Sequence, residues 1–419
     1  MPRKPRAPAP STSIADDSPG AAPGEAPSGT PIGVPIDAAE VPPRPRLALC
    51  VCGGGATGAA WEIGALAGLE AAIPGFRVRD FDILIGSSAG ALVASLLATG
   101  VSPTRLFHSL TSGDGYFDVR RTDVFRVDAR AAAIKFGYIS RAAFGLIRKL
   151  YRSPLRTLSR ADIEGFTATL PDGMFSLAGY TRFIDRFLRE HGLPRSFEQV
   201  ERHLMIPVNN LDTAHREVFG RGYRLDATIP EAIAASSAIP IFFTPVRING
   251  SDFIDGGTGK VAHVDLAVRA GATHVLVLNP IVPWNLQRRL AERRRRSGGR
   301  GDDSLVRIRE RGMYGIWNQG FRISTMVKLH QGLRRFRAER PGVAIALLQP
   351  SETDETLFVT NPMNTDARSR IAQHAWDTTV RALQEGDEAI RAVCLGAVGA
   401  ASLDGLRRAP LGGDGSGDP

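Results

Sequence analysis

Leu47-Ala48-Leu49-Cys50-Val51-Cys52-Gly53-Gly54-Gly55-Ala56-Thr57-Gly58 runs an unbroken apolar segment into a glycine-rich turn, and the order returns at Phe81-Asp82-Ile83-Leu84-Ile85-Gly86-Ser87-Ser88-Ala89-Gly90. A short apolar run without polar alternation fits a strand buried on both faces. After the first turn, residues 56–72 carry Trp61, Ile63, Leu66 and Leu69 at helical spacing, while Gly58, Gly64 and Gly68 thin one side for close packing. After the second, residues 89–99 read as a helix ended by Gly100 and Pro103. Two successive strand, turn and helix units predict a mainly parallel sheet flanked by helices, an α/β fold. Further strands are expected at residues 205–209, 217–219, 242–248, 274–278 and 343–348. A long amphipathic helix over residues 366–388 is expected to complete the sheet edge.

Outward from these units the composition changes. With 419 residues and 43% hydrophobic composition the chain can form one large α/β domain or two ordinary ones. Residues 1–45 are dominated by Pro, Ala, Gly, Ser and Thr and have too few large apolar side chains to offset the entropy of ordering. They are expected to be a disordered tail, with a secretion or partner signal as the alternative, and residues 399–419 a second tail. Between them, residues 46–398 are expected to form the folded domain. The basic, aromatic and helical stretch at about 102–202 is too long for a simple connection and is expected to be an inserted cap. Within it, residues 134–151 have the composition of an interfacial helix, for which a surface helix packed on the core is the ordinary alternative. The arginine-rich run at 288–300 is expected to lie in an exposed, mobile basic loop of about 286–304.

A formal net charge of +9 favours anionic partners such as phospholipid headgroups or nucleic acid. Cys50, Cys52 and Cys394 are too few for a disulfide framework and read as buried thiols in a reducing compartment. No apolar run reaches the roughly 18 to 20 residues needed to span a bilayer. Met1-Pro2-Arg3-Lys4 is not followed by the apolar stretch of a signal peptide. A cytoplasmic location, peripheral at a membrane, is the expectation.

Gly86-Ser87-Ser88-Ala89-Gly90 matches G-x-S-x-G between a strand and a helix, where a tight turn lifts a serine hydroxyl clear of the sheet. Ser88 is therefore the candidate nucleophile, with Gly86 and Gly90 permitting the turn. Gly53-Gly54-Gly55 ends the neighbouring strand, so unobstructed backbone N–H groups can converge beside it and hold an oxyanion. A nucleotide phosphate loop is the rival, but no Gly-Lys-Ser/Thr follows and no acidic ribose ligand stands about 20 residues on. Asp255-Gly256-Gly257 closes a hairpin-like segment over residues 245–254; alone, Asp-Gly is a common turn dipeptide.

In combination, Gly53-Gly54-Gly55-Ala56-Thr57-Gly58, Gly86-Ser87-Ser88-Ala89-Gly90 and Asp255-Gly256-Gly257 resemble the patatin-like phospholipases. Ala235-Ser236-Ser237-Ala238-Ile239-Pro240, with Phe243, Pro245, Gly250 and Phe253-Ile254, is similar to the segment before that family's catalytic aspartate, so the resemblance covers about residues 46–280. It implies a three-layer α/β/α sandwich and a serine-aspartate dyad of Ser88 and Asp255. It also implies oxyanion donors at Gly53, Gly54 and Gly55, joined by Gly58, and support from Gly256 and Gly257. The implied substrate is a phospholipid or other lipid ester, met at an anionic membrane surface, with no cofactor, no metal and no nucleic acid. An acyltransferase or polyester depolymerase would use the same dyad, and a non-catalytic lipid-binding protein could keep the fold. After Asp-Gly-Gly this chain reads Thr258-Gly259-Lys260-Val261-Ala262-His263-Val264-Asp265, where many members carry an Asn and Pro-containing stretch. His263 is a candidate third member in the chain order Ser, Asp, His of α/β-hydrolases.

Overall fold

The structure, a computed structural model, describes residues 44–124, 144, 148, 151, 172–296, 307–360 and 367–396. Residues 1–43 and 399–419 of the expected tails lie outside these, as do residues 297–306, 397–398 and, apart from Phe144, Arg148 and Tyr151, the stretch 134–151.

Among the described residues one sheet holds β1 (Leu47–Val51), β2 (Ile83–Gly86), β3 (His203–Asn210), β4 (Arg216–Gly220), β5 (Val246–Ile248), β6 (Ser251–Asp255), β7 (His274–Leu278) and β8 (Ala344–Leu348). Its order is β5-β6-β3-β2-β1-β7-β8, with β4 also paired to β3. The pairs β3/β2, β2/β1, β1/β7 and β7/β8 are parallel, as the strand, turn and helix units predict, while β4, β5 and β6 join antiparallel.

The register on β3 positions the site. Met205 pairs with Ile85 of β2 and with Gly220 of β4, and Val208 pairs with Glu217 of β4 and with Asp255 of β6. A strand has two edges, so β4 takes one and β2 and β6 share the other. β2 runs parallel to β3 and β6 antiparallel, so the carboxyl ends of β2 and β6 meet head-on beside residues 206–208.

Period-two alternation assigns the layers. Leu47, Leu49 and Val51 of β1 join Leu84, Leu276 and Leu278 in one core with α1 (Gly55–Ala72), α2 (Ala89–Ala98), α3 (Pro103–Ser112), α5 (Ala178–Glu190), α6 (Ile229–Ser236), α11 (Arg368–Gln384) and α12 (Glu388–Leu395). Ala48, Cys50, Ile83, Ile85, Val275 and Val277 face the other way, against α7 (Val264–Arg269) and α9 (Gly312–Glu339). The result is a three-layer α/β/α sandwich. α4 (Arg121–Val124), α8 (Leu286–Arg296) and α10 (Glu355–Val359) complete the helices named here. No helix among the described residues is long and apolar enough to cross a membrane.

Glycine spacing in α1 acts as expected: a Cβ at Gly64 would stand 2.1 Å from the Ala372 carbonyl of α11, and one at Gly68 3.1 Å from that of Trp376. Hence α11 packs on α1 rather than completing the sheet edge, and α12 packs against β7 and β8. The expected strand over 242–248 forms only at Val246–Ile248; Phe243 instead makes an isolated bridge to Phe175. The arginine-rich run begins as the helix α8, with Arg289 bonded to Glu355 at 3.3 Å. The described ends of the 102–202 insertion, including Leu106, Phe117, Tyr180 and Phe187, belong to the main core.

Candidate active site

Ser88 sits at the head-on junction, between β2 and α2. Its φ of 57° and ψ of −127° lie in a region that ordinary residues avoid, which costs on the order of 1–3 kcal/mol. The neighbouring packing holds it there. A Cβ at Gly86 would come 2.1 Å from the Gly90 carbonyl, and one at Gly90 2.4 Å from the carbonyls of Val51 and Cys52. The Ser88 amide donates to Ser236 Oγ at 3.0 Å, and Ser236 Oγ donates to the Pro207 carbonyl at 2.8 Å, which ties the turn to β3 through α6.

Asp255 ends β6 and is buried. Its amide donates to the Ala238 carbonyl at 3.0 Å, its own carbonyl accepts from Asn209 Nδ2 at 2.7 Å, and its Oδ1 accepts from the Gly257 amide at 2.7 Å. Gly256 is required by β3, since a Cβ there would lie 2.1 Å from the Pro207 carbonyl. Burial pushes the Asp255 carboxyl up to about 6, against the lowering effect of hydrogen bonds from the Ser88 hydroxyl and the Gly257 amide. The carboxyl is thus poised to exchange a proton near neutrality.

Gly53, Gly54 and Gly55 line the same cavity as Ser88 and Asp255. A Cβ at Gly53 would lie 2.8 Å from Ser88 Cβ and 3.3 Å from Oγ, so only glycine leaves this approach open. Gly54 and Gly55 have φ of 152° and 64°. Gly55 opens α1, whose first-turn N–H groups have no intrahelical acceptor, and α2 begins at Ala89. Two helix N-termini therefore bring partial positive charge to one point. Gly58 departs from the expectation that it joins the donors. Its amide donates to the Gly54 carbonyl at 3.0 Å, and it serves packing, since a Cβ there would stand 3.2 Å from Pro280.

His263 is not brought to Asp255. Its ring lies against Arg216, with Nδ1 3.2 Å from Nη1, and Arg216 is paired with Asp265. Burial, then the Arg216 charge, depresses the imidazole to about 3, so it is neutral at physiological pH. The third role proposed for it from chain order has no support in this geometry.

Two largely apolar cavities meet at Gly55, Ser88 and Ile239. The first runs between α1, α2 and α5, lined by residues such as Ile63, Leu92, Phe117 and Tyr180. The second contains Asp255 and is walled by α9 through Tyr314, Trp317, Asn318, Phe321, Arg322 and Thr325. Sequence reasoning missed Ser236, Asn209 and this wall. Ser236 lay within the Ala-Ser-Ser-Ala-Ile-Pro motif, but nothing local aims its hydroxyl at Ser88. The wall's signal was the three polar residues Asn318, Arg322 and Thr325, spaced by four and three.

A family model described as patatin-like phospholipase matches residues 49–268, just over half of the 419-residue chain. "Probable lipid hydrolase 463L" of Invertebrate iridescent virus 6 is 24% identical over 225 residues, covering 52% of this chain and 62% of that relative; the match thus spans less than two thirds of the relative's length. Among solved structures, VipD from Legionella pneumophila is similar over 81% of this chain and 67% of its own, with 14% identity and a TM-score of 0.34. The type III effector ExoU, from Pseudomonas aeruginosa, is similar over 82% of this chain and 53% of its own, with 17% identity and a TM-score of 0.34.

Proposed function

The chain belongs to the patatin-like phospholipase family, and from that premise we propose that it is a lipid acyl hydrolase, a serine esterase using Ser88 and Asp255 as a dyad. The observation that carries the reading is that Ser88 and the buried carboxyl of Asp255 line one cavity together with Gly53, Gly54 and Gly55. Ser88 Oγ attacks the ester carbonyl and its proton passes to Asp255. The carbonyl oxygen becomes an oxyanion and takes hydrogen bonds from the Gly53–Gly55 amides, each worth around 3 kcal/mol in such sites. Collapse expels the alcohol, which leaves with the proton from Asp255. Water, deprotonated by Asp255, then releases the fatty acid and restores Ser88.

A fluorophosphonate probe tests the reading. It should label Ser88, and Ser88→Ala or Asp255→Asn should abolish lipid ester hydrolysis with the fold intact; unchanged turnover in either variant refutes the dyad. Absence of both labelling and turnover in the wild type favours a lipid-binding protein. Acyl transfer to an added alcohol in place of hydrolysis favours an acyltransferase.

The enzyme meets its substrate at an anionic lipid surface, as a peripheral protein of the cytoplasm. In support, Met313, Ile316, Trp317, Ile323 and Val327 stand exposed on α9, and basic Lys328, Arg334 and Arg335 follow along the helix. Free Cys50, Cys52 and Cys394 fit a reducing compartment. Sedimentation with vesicles should be stronger for anionic than for neutral lipid, weaken in salt, and weaken in Ile316→Ser. Equal sedimentation with neutral vesicles would count against the anionic surface.

A further inference from the structure

The first half of α9 is built inside out. Its outward face carries exposed Met313, Ile316 and Ile323, while its inward face carries Asn318, Arg322 and Thr325, each no more than 6% exposed. A helix packed only for stability buries its apolar stripe and exposes its polar one. All three inward polar residues line the cavity that contains Ser88 and Asp255.

Arg322 is the decisive member. Its Nε donates to Asn318 Oδ1 at 3.3 Å, Nη1 to the Val282 carbonyl at 3.0 Å and Nη2 to the Leu357 carbonyl at 3.4 Å. All three acceptors are neutral, and a guanidinium carries five N–H groups, so two remain. Among the described residues no ion pair joins it to a carboxylate, and its guanidinium lies 5.6 Å from the centroid of the Phe358 ring. Burial of an arginine usually goes with an acidic partner, because an unpaired buried charge is strongly unfavourable. Desolvation here pulls the guanidinium down to about 10, which still leaves it charged at neutral pH.

We propose that Arg322, with Asn318 and Thr325, forms an anion subsite that receives the phosphate of a phosphodiester lipid on the alcohol side of the scissile ester. The acyl chain then occupies the first cavity, whose lining is almost wholly apolar, and the phosphate completes the guanidinium's missing partner in the second. Planar N–H pairs suit a phosphate's oxygens. The consequence is selectivity: phosphate-bearing lipids are taken in preference to uncharged acylglycerols. The subsite deepens the hydrolase reading and rests on it for the identity of the ligand.

Two measurements on the full chain test this. In the first, calorimetric titration with sn-glycerol 3-phosphate, inorganic phosphate and glycerol is run on wild type, Arg322→Lys and Arg322→Gln. Glycerol phosphate should bind the wild type, about 10- to 100-fold more weakly the Gln variant, and at an intermediate level the Lys variant. In the second, kcat/KM is compared for a diacyl phospholipid and a diacylglycerol of the same chains in uncharged micelles; their ratio should fall by a similar factor in Arg322→Gln. An equal loss on both substrates makes Arg322 a structural staple between the Val282 and Leu357 backbones and overturns the proposal. So does wild-type protein that binds glycerol as well as glycerol phosphate. Inorganic phosphate binding as tightly as glycerol phosphate assigns the subsite to a free anion and overturns the lipid assignment. If Arg322→Gln does not fold, the wild-type titrations and the Lys variant decide. The titration needs no turnover, so loss of the dyad reading and loss of this one are separately visible.

Discussion

Replacing Asp255 by Asn should destroy activity and stabilise the protein. Burial moves this carboxyl from 3.8 to about 6, which at 1.36 kcal/mol per tenfold is about 3 kcal/mol against the charged form. Asn keeps the shape and an acceptor for the Gly257 amide, and carries no charge to desolvate. Because the folded value lies above the unfolded one, stability is fully present below pH 3.8 and is lost as pH rises through about 6. The advantage of Asp255→Asn should therefore be about 1–2 kcal/mol at pH 5 and about 3 kcal/mol at pH 7.5. Near neutrality this corresponds to roughly 4 °C in Tm. Guanidinium titrations of both proteins at the two pH values measure it directly. A variant that is less stable than wild type, or an advantage that does not grow between pH 5 and 7.5, would refute the picture of Asp255 as a desolvated base held in place by the fold.

The same carboxyl must be ionised to take the serine proton, so wild-type kcat/KM on a soluble ester should fall about tenfold per pH unit below about 6; a flat profile between pH 7 and 5 would remove Asp255 as the base. Gly53→Ala places a Cβ 2.8 Å from Ser88 Cβ, and should lower kcat about 100-fold while circular dichroism stays unchanged; wild-type turnover in that variant would show that the loop does not approach the serine. Gly64→Ala drives a Cβ to 2.1 Å from the Ala372 carbonyl. It should destabilise the α1–α11 contact by about 1–3 kcal/mol or more in chemical denaturation, and unchanged stability would mean the helices are not so closely packed.

The parallel core was legible in the sequence because each part has a local cause. Leu47–Val51 and Ile83–Gly86 are short apolar runs that only a doubly covered strand satisfies, and the turns after them need glycine for sterics that span a few residues. Ser88 could be named from its five-residue motif, and Asp255 from the resemblance in which it stands. The meeting of these two was not local. It follows from β3 offering one edge to β2 and then to β6, a matter of register among three segments that lie far apart in the chain. Gly58 looked like a donor by its place in a glycine run, and only the bond of its amide to the Gly54 carbonyl removed it. His263 fitted a chain order, and tertiary packing gave it Arg216 instead. The polar wall of α9 was the least legible feature. Periodicity marks which residues share a helix face, but which face turns inward depends on what the rest of the fold presents, and here that is a cavity beside Ser88.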